Sequence, residues 1–199
     1  MKELARIRND VVGSLLRPAR LKEARVSYDD GKITLDQLRV AEDEEIREAV
    51  RLQEQLGLDV VTDGEYRRLN FQDSFGESVS GYDAGRATLD FYEHRVEGSR
   101  PLQRWEIPNS GEVKGTAVSQ RRPVVARLGL ARNVPLEEYR FLSRVARNPA
   151  KVALIGPDRI SQRFDWQNSK AVYADMDEFM ADVVKVERGI VAGVGCFLA

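Results

Sequence analysis

Three places in the chain set small or polar residues directly behind short apolar runs: Gly13-Ser14, Asp63-Gly64-Glu65 and Gly156-Pro157-Asp158. Ser14 can donate from both its hydroxyl and its N–H, which suits a carboxylate. Glu65 can accept from an ammonium group or a ring N–H, and glycine at each place lets backbone approach a ligand closely. Plainer readings stand beside these. Glycine after a strand also makes a simple turn, and Asp63 and Glu65 also suit a solvated loop. Arg67 and Arg68 read either as surface charge or as an anion clamp. Residues 159–166, ending in Trp166, form a polar-aromatic loop that either lines a pocket or covers its mouth. His94 lies in a charged stretch with no partner placed by sequence and reads as an exposed histidine; Cys196, in an apolar run, reads as a buried thiol. One histidine and one cysteine cannot build a Cys/His zinc site, which takes about three or four such ligands.

The elements that would position these residues follow from the pattern. Residues 10–14 read as a buried strand that leads through Arg17-Pro18 into a helix from Ala19 to Arg25. Thr34 and Gln37 have the spacing of a capping box, and Ile33 with Leu38 that of a hydrophobic staple, so a helix begins here. Leu38, Ala41, Ile46, Ala49, Val50 and Leu56 give it an apolar face, while Glu42, Glu44, Glu45, Arg47 and Glu48 supply a wet one. Gly57 stops it in a left-handed conformation, and the β-branched run 58–62 is the next strand. A helix over 135–147 and a strand over 151–155 repeat this grammar, followed by a helix over 175–191 and the opening of a strand at 195–199. Residues 70–122 break the pattern and are expected to form an excursion containing an antiparallel hairpin, before a strand at 124–128.

Alternating strands and helices imply a parallel sheet. A Gly-x-Gly-x-x-Gly loop after the first strand is absent, which argues against a dinucleotide-binding fold and leaves a (β/α)₈ barrel. A complete barrel runs to roughly 250 residues. The chain has 199, so the expectation is one α/β domain over 1–199: a TIM barrel truncated after about five strands, all parallel neighbours.

Composition bounds the function. Lysine and arginine number 31 against 32 acidic residues, so there is no electrostatic footprint for nucleic acid. No apolar stretch is long enough to span a membrane, and Met1-Lys2-Glu3-Leu4 begins no signal peptide. A lone cysteine fits a reducing cytoplasm. The oligomeric state is not legible.

The same stretches carry a family resemblance. Residues 12–18 (Val-Gly-Ser-Leu-Leu-Arg-Pro), Gly31-Lys32-Ile33-Thr34, the acidic run 41–46, and above all residues 57–68 (Gly-Leu-Asp-Val-Val-Thr-Asp-Gly-Glu-Tyr-Arg-Arg) resemble the cobalamin-independent methionine synthase family, in its short single-barrel members. Ile155-Gly156-Pro157 and residues 192–196 also fit. The resemblance implies a TIM barrel that moves a methyl group from methyltetrahydrofolate to the thiolate of homocysteine. It implies that Gly13, Ser14 and Glu65 hold the amino-acid part of homocysteine, with Asp63, Arg67 and Trp166 as further candidates for the pocket. It also implies a zinc ion on the substrate sulfur, with ligands beyond Ala199, and hence a chain that is a fragment, inactive alone. The chain departs from the family pattern at Val11, where single-barrel relatives often carry histidine, and at Arg163, where a tryptophan is expected. The alternatives are a zinc-dependent thiol transferase with another acceptor, such as coenzyme M, and a non-catalytic barrel remnant.

Overall fold

A computed structural model describes residues 9–68, 73–83, 88–91, 118–121, 123–161 and 164–195. The chain divides into two compact units, one of residues 1–71 and 135–153, the other of residues 72–134 and 154–199.

In the first unit, helices α1 (Ala19–Asp29) and α2 (Leu35–Gln55) are followed, much later in the chain, by α4 (Val134–Val145). The capping box at Thr34 and Gln37 is present in full, with each side chain bonded to the other's backbone N–H. The expected left-handed stop is at Gly57, with φ +78°. Leu21, Ile46, Ala49, Val50, Val61, Tyr66 and Leu142 form the core of this unit. Two details of the expected α2 faces are reversed. Glu42 is buried, because Arg25 and Arg39 both bond it, and Leu56 is exposed, because the helical face turns outward at its end.

The strands expected at 10–14, 58–62 and 151–155 do not form as ladders. Val61 pairs with Ala150 through one parallel bridge, its N–H donating to the Pro149 carbonyl at 3.0 Å and its carbonyl accepting from Lys151 at 2.9 Å. Leu15 N–H reaches the Gly64 carbonyl at 3.2 Å. Side chains take up part of what remains. Gln53 of α2 bonds both the N–H and the carbonyl of Thr62, at 3.0 and 2.8 Å, as a neighbouring strand would. Arg68 takes the Ala153 carbonyl. Residues 10–14 keep Val12 almost wholly exposed, so that run is not a buried strand. An apolar run too short to show a period is no proof of pairing.

The second unit contains α3 (Asp73–Ser78), β1 (Val79–Tyr82), β2 (Thr88–Phe91), β3 (Val118–Arg121), β4 (Val124–Leu130), α5 (Pro157–Ser161) and α6 (Met176–Gly195). Here β4 fulfils the strand expected at 124–128, but it pairs antiparallel with β1, not parallel with a barrel neighbour. Gly81 makes that pairing possible. Its φ is +107°, and a Cβ there would lie 2.7 Å from the Ala126 carbonyl oxygen, at a break in register between Ser80 and Tyr82. Strands β2 and β3 pair antiparallel within the stretch expected to hold a hairpin. Both named sheets among the described residues are therefore two-stranded and antiparallel, and parallel pairing is limited there to the Val61–Ala150 bridge. Helix α6 carries the last apolar face further than expected, through Gly193 to Gly195; residues 196–199, with Cys196, lie outside the described residues, as does His94. The core of this unit gathers Phe75, Val124, Leu128, Phe164, Tyr173, Phe179 and Val183. No helix among the described residues is long and apolar enough to cross a membrane.

Candidate substrate-binding site

Residues 62–68 form a tight buried turn behind Val61, held together largely by bonds from its own side chains. Thr62 Oγ1 accepts from Gly64 N–H, and Asp63 Oδ1 accepts from Glu65 N–H at 2.9 Å. These side-chain acceptors wind the backbone through two successive left-handed residues, Gly64 at φ +67° and Glu65 at φ +56°. Glycine is required at the first, where a Cβ would lie 3.0 Å from Tyr66 Cε1 and 3.1 Å from Leu15 Cβ. Glu65 is not a glycine and carries the strain of this conformation, a mark of a backbone over-determined by its surroundings.

The turn aims Glu65 at Ser14. The Ser14 hydroxyl donates to Glu65 Oε2 at 2.6 Å, across 51 residues of sequence, with Ser14 exposed and Glu65 buried. Arg17 braces the same turn from outside, its Nη2 donating to the carbonyls of Arg68 at 2.6 Å and Glu65 at 3.3 Å. Burial, then the charge of Arg25, lowers the pKa of Arg17. Tyr66 closes the loop by donating its hydroxyl to the Leu16 carbonyl.

Beneath the turn lies a buried charge cluster. Arg68 bonds Glu138 of α4 through Nε at 3.0 Å and Nη2 at 2.6 Å, and its Nη1 stands 3.9 Å from Glu65 Oε1. Both Arg68 and Glu138 are only 3% exposed. Asp63 is 2% exposed, and its Oδ2 has no hydrogen-bond partner among the described residues. Burial pushes the Asp63 carboxyl up to about 6, and the charge of Glu138 adds to the rise while the Glu65 N–H and Arg68 oppose it.

The predicted residues divide clearly. Ser14, Asp63 and Glu65 come together, and the alternative of a solvated loop fails because Asp63 and Glu65 are buried. Gly13 is exposed, with open space where a Cβ would be. Arg67 turns the other way, to Asp43 and Glu42 of α2, with its guanidinium 4.6 Å over the Phe141 ring. Trp166 belongs to the second unit, where it packs beside Phe164 with ring centroids 5.9 Å apart. Gly156 serves as the start of α5, its carbonyl accepting from Arg159 and Ile160, with Pro157 at the first helical position. Sequence reasoning missed Glu138 and Gln53. The signal was their spacing: Glu138 lies four residues before the fully buried Leu142, and Gln53 four after Ala49, so both fall on buried helix faces.

The donor set does not fit zinc. Among the described residues no group of three or more His, Cys, Asp or Glu side chains is placed to hold a metal ion. Glu65 is engaged by Ser14 and stands near Arg68, and Asp63 Oδ1 by a backbone N–H, which leaves Asp63 Oδ2 as a lone carboxylate oxygen.

Comparison with known proteins gives the site its context. Residues 8–101 match the sequence model of the family described as "Cobalamin-independent synthase, Catalytic domain". The chain is 32% identical over 185 residues to the uncharacterized protein YxjH of Bacillus subtilis, covering 92% of the chain and 44% of YxjH. It is 39% identical over 71 residues to the 5-methyltetrahydropteroyltriglutamate–homocysteine methyltransferase of Thermosynechococcus vestitus, covering 36% of the chain and 9% of that protein. Among solved structures, a putative vitamin-B12 independent methionine synthase from Listeria monocytogenes superimposes with a TM-score of 0.60 at 22% identity, over 93% of the chain and 47% of that protein. A B12-independent methionine synthase from Shewanella, in complex with selenomethionine, gives the same TM-score at 20% identity, over 83% and 41%. At those identities the likeness is one of fold. The chain thus spans less than half the length of each of these relatives. By these matches residues 8–101 of the chain are similar to the catalytic domain of the cobalamin-independent synthases.

Proposed function

We propose that this chain supplies the amino-acid pocket of a methyltransferase that passes a methyl group from a methyltetrahydrofolate to homocysteine, giving methionine. The observation that carries the reading is the 2.6 Å hydrogen bond from Ser14 to Glu65, which joins the two resemblance motifs in one place. The pairing is ready to be exchanged. On binding, the Ser14 hydroxyl turns from Glu65 to the substrate carboxylate, and Glu65 accepts from the substrate ammonium. Asp63, Arg17 and Arg68 hold the turn that presents Glu65. The same chemistry disfavours coenzyme M as acceptor, since that thiol carries a sulfonate and no ammonium, and a buried carboxylate would repel it.

In this reading the chain is part of a longer (β/α)₈ barrel that acts in the cytoplasm, with residues 70–122 as its excursion. The single parallel bridge between Val61 and Ala150 and the Leu15–Gly64 bond support the barrel, since they set three segments side by side. Methyltetrahydrofolate is the methyl donor. The described residues offer zinc no site, so what they contribute is binding and orientation of the amino acid.

Glu65→Gln tests the reading. It keeps the shape and removes the charge, and the homocysteine KM of a full-length enzyme should rise about tenfold or more with kcat changed less. Unchanged kinetics in this variant would return Glu65 to a purely structural role.

A further inference from the structure

Three carboxyl groups crowd the turn around one fully buried guanidinium. Glu138 reaches in from α4 and accepts from both Nε and Nη2 of Arg68, while Glu65 Oε1 stands 3.9 Å from the same guanidinium. Asp63 receives only the Glu65 N–H on Oδ1, and its Oδ2 is without a partner among the described residues. Arg17, on the segment before α1, spends its bonds on the carbonyls of Glu65 and Arg68. Arg17 acts on Glu65 through its charge, so three carboxyls share two cations at a place almost closed to water, and one carboxyl is favoured to take up a proton as pH falls. Asp63 is the one with the fewest donors.

We infer that Asp63 is a proton-linked positioning residue: a cationic group bound at Glu65 drives the proton off Asp63 into solvent, and the Asp63 carboxylate so formed strengthens the hold on that cation. The inference rests on the proposed binding of a substrate ammonium at Glu65. The direction of the Asp63 shift, to about 6, places this exchange near neutral pH. Linkage then makes the coupling reciprocal. If the bound cation lowers the Asp63 pKa by about one unit, affinity at about pH 7.5 should be about fivefold that at about pH 5.

L-methionine is the probe, because neither its ammonium nor its carboxylate titrates in that range. Calorimetry of its binding to the full-length protein that carries this chain, in buffers of different ionisation enthalpy, counts the protons released. Net release near pH 6 that vanishes near pH 8, and is absent in Asp63→Asn, is the expected result. The asparagine side chain keeps the Oδ1 acceptor for Glu65 N–H, so the turn itself should persist. Binding to the wild-type protein without proton exchange, or with the same exchange in the Asp63→Asn variant, overturns the inference and leaves the proposed function standing. No binding to the wild-type protein at any pH overturns both. Carbon-13 carboxyl NMR of the wild-type protein tests the coupling without a variant: the Asp63 titration should move to lower pH on adding methionine, and an unmoved titration refutes the coupling.

Discussion

Around Phe179 in one unit and Arg68 in the other, side chains are removed from water to nearly the same degree, and the forces that keep them there are of different kinds. Phe179 is 0% exposed, stacked on Phe164 at 3.9 Å and 15°, and met edge-on by Tyr173 at 5.4 Å. Nothing in that cluster titrates near neutrality or has a direction beyond ring geometry, so it contributes stability and little else. The cluster around Arg68 buries a guanidinium with three carboxyls. Such a cluster adds little net stability, because desolvation offsets the attraction, but it fixes positions sharply and answers to pH. The difference teaches where to look for function. The ionic turn has strained backbone, a proton held near neutrality and an exposed hydroxyl at its lip; the aromatic core has none of these.

Substitutions in the two clusters should act differently. Arg68→Ala should cost about 3–5 kcal/mol, since it leaves Glu138 buried without its cation; Phe179→Ala should cost a similar amount by opening a cavity. The two should separate with pH. Acid should relieve Arg68→Ala as the orphaned carboxylates take up protons, while Phe179→Ala should lose the same stability at about pH 5 as at about pH 7.5. Urea unfolding at both values would settle it, and parallel pH profiles would make the ionic cluster mere packing.

A smaller effect is expected at Asp63. Its folded pKa of about 6 lies above the ordinary 3.8, so the folded state holds this proton more tightly than the unfolded chain does. The stability it contributes is fully present below the unfolded value and is lost as pH rises through the folded one. Asp63→Asn removes that dependence and should become more stable relative to wild type from about pH 4 to about pH 7, by up to about 3 kcal/mol. Coincident melting curves for the two proteins across this range would show that burial of Asp63 carries no cost. The smallest change belongs to the aromatic unit. Tyr173 donates its hydroxyl to Asp182 at 2.9 Å and accepts from Leu128 N–H at 2.8 Å. Tyr173→Phe keeps the ring contacts and orphans a buried N–H, so it should cost about 1–2 kcal/mol with little pH dependence. A loss as large as that of Phe179→Ala would mean that this core, too, depends on its polar bonds.

Local signals carried much of the fold. The Thr34–Gln37 box and the Gly57 stop define α2 because both act within one helical turn, and the apolar spacing read over 135–147 and 175–191 located α4 and most of α6. Pairing was less legible. Val124 to Leu128 forms a strand as its β-branched run suggests, but its partner, β1, contains glycine and serine and offers no period to read. The site was legible in its motif residues. Ser14 and Glu65 could be named from residue type and resemblance; Glu138, an acidic residue on a helix read for its apolar positions, was legible only through its spacing to Leu142.

Features that depend on neighbours within a few residues were written into the chain directly: helix starts and stops, the turn-forming order Asp63-Gly64-Glu65, the absence of a basic run. Which groups meet was settled by folding. Gln53 replaces a strand for Thr62, Arg68 takes the Ala153 carbonyl, and Glu42 and Glu138 go inside rather than out. The reason is the cost of an unsatisfied buried polar group: each backbone or charged atom takes whatever partner the fold brings within about 3 Å, and that partner can lie anywhere in the chain.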